Sequence, residues 1–305
     1  MKIELESLFK ISEEVSSAIE QDQPVVALES TVISHGLPYP HNRNVALDME
    51  GEIRHLGAVP DTVAVLDGKI RIGIRENEIE RLAAWDNLYK IGVRDIPLAI
   101  ANGWSGGTTV AGTIFCAHKA KIRIFATGGI GGVHRGSEYD ISADLIQLSK
   151  TPMVVVCSGV KAILDLRATI EYLETFSIPV IGYQTNELPA FYSRSSGIHI
   201  DTRADTAEKI VDIARANWKL GLQNSILVVN PPPLDTEISS NKINEAVEQA
   251  LAEAERDRIT GKDVTPYLLQ KVAEKTSGDS MQANLGLLKS NAKLAGMIAI
   301  ADSRT

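Results

Sequence analysis

The stretch KIRIFATGGIGGVHRG (121–136) and the TPMVVVCSGV (151–160) that follows it decide how this chain folds. Each contains a short apolar, β-branched run that stops abruptly at glycine, as a buried strand does where it meets a turn at a sheet edge. Between them DISADLIQLSK (140–150) sets acids and a serine ahead of apolar residues at helical spacing, the mark of a capped helix. Strand, glycine turn, helix, strand is the repeating unit of a parallel sheet.

The unit extends in both directions. Upstream, 24–28 reads as a buried strand, and Leu8, Ile11, Val15 and Ile19 before it recur as one helix face. Segments 62–66 and 69–74 flank Asp67-Gly68, a strong hairpin signal. A helix over 76–88, a strand at 96–101, a helix near 110–120 and a strand at 122–126 follow. Downstream come a helix from 161 to 176, a strand at 179–183, a helix at 205–220 and a strand at 226–229. Beyond Pro231-Pro232-Pro233 the pattern turns helical, from 241 to 258 and from 280 to 301. These elements predict an α/β fold in three layers, α/β/α, with a largely parallel central sheet, a β-hairpin and a helical C-terminal segment. No flexible linker interrupts them, so residues 1–305 are expected to form a single domain.

A chain that is 44% apolar and 23% charged can bury a core without disulfides or a structural metal. Cys116 and Cys157 form neither a metal-ligand spacing nor a disulfide framework, which points to a reducing, cytoplasmic setting. The glutamates of the N-terminal segment break any secretory apolar region, and no apolar run approaches the ~20 residues of a membrane span. A net charge of -8 without a basic tract disfavours RNA or DNA as partner. A small phosphorylated ligand remains open, because local cations or a helix N-terminus can hold one phosphate.

Parallel sheets bind ligands beyond the carboxyl ends of their strands, and there the chemistry-bearing residues cluster. The glycine segments match neither the dinucleotide pattern, which fails at His134, nor the P-loop, which fails at Thr113. An anion nest beside Arg135 and a tight sheet-to-helix turn both fit what is left. Lys161, read at the start of a helix, would have its amine pushed toward the neutral, nucleophilic form by the helix dipole and by burial. A solvated lysine paired with Asp165 is the commoner use of such a residue. Glu29, directly after an apolar strand, suits general-acid work if desolvated, although capping or an arginine partner would also explain it. The segment Asp140-Ile141-Ser142-Ala143-Asp144 fits a helix cap, a hard metal ion or a sugar hydroxyl. Cys157 reads as an inert buried thiol, and of the six scattered histidines only His134 falls in a candidate ligand loop.

Several longer segments then enter together. ALESTVISHGLPYP (27–40), TGGIGGVHRG (127–136), DISADL (140–145), CSGVKAILDL (157–166), IPVIGYQTNELPAF (178–191), TPYLLQKVAE (265–274) and SMQANL (280–285) closely resemble, in the same order, pseudouridine-5′-phosphate glycosidases, also called indigoidine-synthase-A-like proteins. The resemblance runs from about Pro24 to the C-terminus and outweighs the commoner readings above. It implies reversible conversion of pseudouridine 5′-phosphate and water into uracil and ribose 5-phosphate, with a divalent metal, usually Mn2+. It also implies a compact α/β/α fold and a homotrimer. Residue by residue, it makes Glu29 the proton donor and Lys161 the covalent nucleophile. Lys90 and Val110 match substrate contacts, Ser142, Ala143 and Asp144 a substrate-binding stretch, and Asp140 the metal-associated carboxylate. A carbon-linked base is a poor leaving group, so capture of the opened sugar as a lysine imine is the expected route, in place of the paired carboxylates of ordinary glycosidases. One departure stands out: Trp104-Ser105 occupies the place where family members tend to carry Lys-Asn. Two rival readings are an aldolase-like lyase using Lys161 on another sugar phosphate, and a binding protein without activity.

Overall fold

The computed structural model describes residues 7–136, 140–259 and 264–304. Its first half contains β1 (Phe9–Ile11), α1 (Glu13–Glu20), β2 (Val25–Leu28), α2 (His41–His55), β3 (Val59–Leu66), β4 (Lys69–Ile72), α3 (Glu76–Ala84), β5 (Tyr89–Ile91), α4 (Ile96–Asn102), β6 (Gly106–Thr108) and α5 (Val110–Lys119). There follow β7 (Ile124–Ala126), β8 (Val133–His134), α6 (Ala143–Ser149), β9 (Val154–Cys157), β10 (Leu164–Asp165), α7 (Leu166–Thr175), β11 (Val180–Tyr183), β12 (Thr202–Ala204), α8 (Ala207–Lys219) and β13 (Ile226–Val229). Three helices close the chain: α9 (Ser240–Arg256), α10 (Val264–Lys275) and α11 (Asp279–Ser303).

One sheet gathers eleven strands, with β1-β4-β3-β2-β7-β9-β13-β11-β12 in order, β6 against β3, and β5 against β6. Its described pairings are parallel except β3–β4 and β3–β6. The central strands β2, β9 and β13 are buried along their whole length, which is why they read as continuous apolar runs and not as alternating ones. Helices cover both faces. On β3, Thr62 donates to Glu50 of α2, the neighbouring Asp61 alternates to the other face of the sheet, and both α2 and α5 pack on this strand. The long α11 packs on α2 and α8 and crosses β2, β7 and β9. The three-layer architecture and the hairpin are as expected; Asp67 and Gly68 take φ of 51° and 71°, the left-handed pair that a tight hairpin turn requires.

Four local expectations are corrected. Residues 96–101 form α4 and not a strand. Pro97 suits a first helical turn, Gly103 at φ 67° ends the helix, and Ile96 and Ala99 are buried three apart. A six-residue apolar run does not tell strand from helix by periodicity alone. The N-terminal apolar pattern is divided between β1, which pairs with β4, and α1, which Ser12 caps. The helix expected over 76–88 ends at Ala84 and gives way to β5. Lys161 does not start a helix: α7 begins at Leu166, and its cap is Asp165, whose side chain accepts from the Ala168 amide at 3.0 Å.

Candidate active site

Glu29 follows β2 directly and is 7% exposed. Its neighbour across the sheet is Thr127, just beyond β7, whose hydroxyl donates to Glu29 Oε1. Burial raises the Glu29 carboxyl above its ordinary range; the positive charge of Lys161, the Thr127 hydroxyl and the charge of Lys90 pull it back in part, and Asp144 pushes it further up. Residues drawn from four segments far apart in sequence therefore act on one carboxyl group.

The Lys161 loop owes its position to the glycine-rich loop beside it. The Ser158 amide donates to the Gly128 carbonyl at 2.8 Å, Ile130 to Gly159 at 3.1 Å, and Lys161 to Ile130 at 3.1 Å. Further along, β10 pairs with β8, so the two loops run together from Gly128 to Asp165. Arg135 braces this arrangement by donating to the carbonyls of Leu164 (3.1 Å) and Ala162 (3.2 Å). Lys161 is half-buried, and the helix-dipole argument for its reactivity falls with the helix start.

Close packing accounts for the glycines. A Cβ on Gly131 would lie 2.2 Å from Ser142 Oγ, one on Gly132 2.3 Å from Thr169 Oγ1, and one on Gly129 2.6 Å from the Phe191 ring. None of these three has positive φ, so the alternating backbone of an anion nest is not formed there. The threonines of the 103–109 segment are likewise engaged within the protein. Thr108 Oγ1 donates to the Val63 carbonyl at 2.8 Å, and Thr109 Oγ1 caps α5 through the Gly112 amide at 3.2 Å. Trp104 stacks on Tyr89 with ring centroids 4.1 Å apart, and Ser105 Oγ accepts from the Asp67 amide at 2.8 Å. These two residues thus hold β5, the strand of Lys90, against the hairpin turn.

Val110 opens α5 and is buried. Asp144 ties that helix to the glycine loop: Oδ1 accepts from the Ala111 amide at 2.9 Å and Oδ2 from the Gly131 amide at 2.8 Å. Ser142 caps α6, accepting from the Asp144 amide at 3.2 Å, and Ala143 is exposed at the first position of that helix. Asp140 is exposed, with its carboxylate 3.8 Å from His134 Nδ1. Among the described residues no group of three or more His, Cys, Asp or Glu could hold a metal ion. A hard, exposed carboxylate of this kind suits a divalent cation that keeps most of its water. Burial pushes the Cys157 thiol up to about 12, as an inert core thiol requires. No described helix is long and apolar enough to cross a membrane.

A buried carboxyl facing a lysine, both at the carboxyl edge of a mainly parallel sheet, defines an α/β enzyme whose site is built from strand-end loops. The chain belongs to the family described as indigoidine synthase A like protein, whose model matches residues 14–301. It is 52% identical over 290 residues to the pseudouridine-5′-phosphate glycosidase of Geobacillus kaustophilus, covering 94% of this chain and 96% of that one. It is 48% identical to the protein of the same name from Staphylococcus aureus, with 97% of each covered. Among solved structures, prealnumycin C-glycosynthase AlnA in complex with ribulose 5-phosphate superimposes with a TM-score of 0.90 at 39% identity, covering 97% of each chain. An indigoidine synthase A-like protein from Thermotoga maritima gives 0.89 at 38%, covering 96% of each.

Two groups that bear on the site do not stand out in the sequence: the hydroxyl of Thr127 and the side chain of Asn291. Thr127 is legible there only as the residue ending a strand. Nothing in the helical pattern of 280–301 distinguishes Asn291 from a solvated asparagine.

Proposed function

We propose that this protein cleaves the carbon–carbon glycosidic bond of pseudouridine 5′-phosphate, reversibly releasing uracil and ribose 5-phosphate. The observation that carries the reading is the meeting of a buried, raised-pKa Glu29 with the charge of Lys161, in a chain about half identical over its length to enzymes of that name. As the C1′–O4′ bond breaks, O4′ takes up a proton and the uracil N1 lone pair shifts to leave a C1′=C5 double bond. Lys161 Nζ, as the neutral amine, then adds to C1′ and releases a proton as those electrons return to the uracil ring. The C1′–C5 bond then breaks as the nitrogen lone pair forms the imine, and uracil C5 takes up a proton. Water hydrolyses the imine, returning the free amine and the sugar aldehyde. Glu29, whose protonated form burial favours, is the donor in this scheme. Lys90 supplies positive charge for the phosphate, and Val110 with Ser142, Ala143 and Asp144 shapes the wall against which the sugar phosphate lies.

Asp140 would hold a hydrated Mn2+ ion, which when bound supplies charge to orient the sugar phosphate; Asp140→Ala should weaken Mn2+ binding measured by electron paramagnetic resonance. The reading further takes the protein to be a cytoplasmic homotrimer. Exposed Trp85, Tyr89 and Leu98 offer apolar surface for such an assembly, and light scattering at micromolar concentration checks it. The likeness to a C-glycosynthase favours one second reading, formation of a C-glycosidic bond to another aromatic ring.

Chromatographic detection of uracil separates the two. Lys161→Ala and Glu29→Gln should each lower turnover by at least about 10³-fold while the fold is retained. Borohydride with ribose 5-phosphate should leave a stable adduct on the peptide containing Lys161. An active Lys161→Ala protein, or an adduct confined to another lysine, would overturn the mechanism.

A further inference from the structure

We propose that Asn291 is a positioning residue of this reaction, a side-chain amide inserted from α11 that fixes the Thr127 loop against the Lys161 loop. The inference rests on the reading that Glu29 and Lys161 carry the chemistry. Asn291 is fully buried midway along α11, a helix that otherwise buries Leu287, Leu288, Ala292 and Ala295 around it. Its Nδ2 donates to the Thr127 carbonyl at 2.9 Å and to Ser158 Oγ at 3.1 Å, with the Gly128 carbonyl at 3.4 Å. Its Oδ1 accepts from Asn230 Nδ2 at 3.0 Å, and Asn230 also donates to Ser290 Oγ at 3.0 Å. Thr127, Ser158 and Asn230 stand at the carboxyl ends of β7, β9 and β13, three adjacent strands.

A leucine at this position would serve packing alone, so a paired amide here has a different consequence. Its direction is fixed, since turning the amide over would set its oxygen against the carbonyls of Thr127 and Gly128. On one side it holds the backbone of the residue whose hydroxyl donates to Glu29. On the other it holds Ser158, three residues before Lys161. Beside the backbone bonds between the two loops, one side chain that touches neither acid nor amine thus helps set their relative placement. An aspartate cannot take its place, because a carboxylate would face the same two carbonyls.

Full-length Asn291→Ala, Asn291→Asp and Ser158→Ala proteins test this against the wild type by kcat, KM, thermal melting and the yield of borohydride-trapped sugar on Lys161. In folded variants kcat should fall about 10- to 100-fold with KM changed less than about threefold, as for slight misplacement of reacting groups. Trapping should fall in step, and the alkaline limb of kcat/KM should move to higher pH as the Thr127 bond to Glu29 weakens. A folded Asn291→Ala or Ser158→Ala enzyme with kcat within about twofold of wild type, a loss confined to KM, or, in Asn291→Ala, an unmoved limb would each overturn the proposal. Should Asn291→Ala fail to fold, Ser158→Ala decides by the same criteria. A wild type that neither releases uracil nor forms the adduct removes the catalytic reading and this inference with it. An active wild type beside unaffected variants removes the inference alone.

Discussion

Glu29 lies under opposing influences, and their balance predicts how activity depends on pH. Burial raises its pKa, while Lys161, Thr127 and Lys90 lower it. As a donor Glu29 must be protonated, so kcat/KM should decline as pH rises through that raised value. Thr127→Val and Lys90→Met each remove a lowering influence, so each should carry the alkaline limb to higher pH. A limb that stays put or moves down in the pH profile of either variant would refute the assignment of Glu29. Asp61 is a second buried acid with no part in the scheme. It is fully buried, neither carboxyl oxygen has a partner of hydrogen-bond geometry among the described residues, and the Gly73 amide is the main polar group acting on it. Burial pushes it up to about 8. The folded chain therefore binds a proton that the unfolded chain releases above about pH 4, and stability falls as pH rises between those values, by up to ~1.4 kcal/mol per pH unit. Asp61→Asn should remove that slope and gain about 1–3 kcal/mol at pH 8. Urea unfolding at pH 5, 7 and 8 reads the difference between the two proteins. That difference isolates Asp61, because burial raises Glu29 and Glu50 as well.

At the level of elements, the glycine loop behaves as a packing device. Gly131→Ala would drive a methyl group into Ser142 Oγ and, at 2.7 Å, into Asp144 Oδ2, breaking the tie between the loop and α5. A stability loss of about 1–3 kcal/mol is expected, with a larger fractional loss of kcat than of melting temperature. Gly51 is the contrast. It lies within α2, and a Cβ added there would meet nothing within 4 Å, so Gly51→Ala should stabilise by roughly 0.5–1 kcal/mol with activity unchanged. Thermal melts and kcat for the pair check both statements; equal effects would refute the packing account. The strands at 25–28 and 226–229, the hairpin at Asp67-Gly68 and the helix capped by Ser142 are legible in the sequence, since each depends on local apolar runs, turn chemistry or capping. Segment 96–101 reads as a strand and folds as a helix because a short apolar run carries no period, and Pro97 and Gly103 are its only local signs of a helix.

Across the whole molecule, α11 closes the α2 side of the sheet and its removal should be decisive. Leu287, Leu288, Leu294 and Ile298 are each at most 3% exposed. At about 1.5–3 kcal/mol per side chain they represent roughly 6–12 kcal/mol, comparable to the total stability of a typical domain. A chain ending at Gly278 should therefore lack a cooperative thermal transition and bind a hydrophobic dye; a sharp melt near that of the full chain would show the helix to be dispensable. The order of residues alone specifies the layers of the fold, the strand-end placement of Glu29 and, through several motifs kept in order, the family. Apolar periodicity, capping and turn residues act over a few positions, so one chain read from end to end contains them. Folding is what places Lys161 at a turn in the loop between β9 and β10, brings Thr127 and Lys90 to act on Glu29, and lets Asn291 clamp two strand ends. It also leaves Asp61 as a carboxyl raised by burial and not by any neighbour in sequence. Desolvation, charge–charge distance and hydrogen bonding across 98 or 164 positions of sequence depend on which surfaces the folded chain brings together, and no local pattern records that.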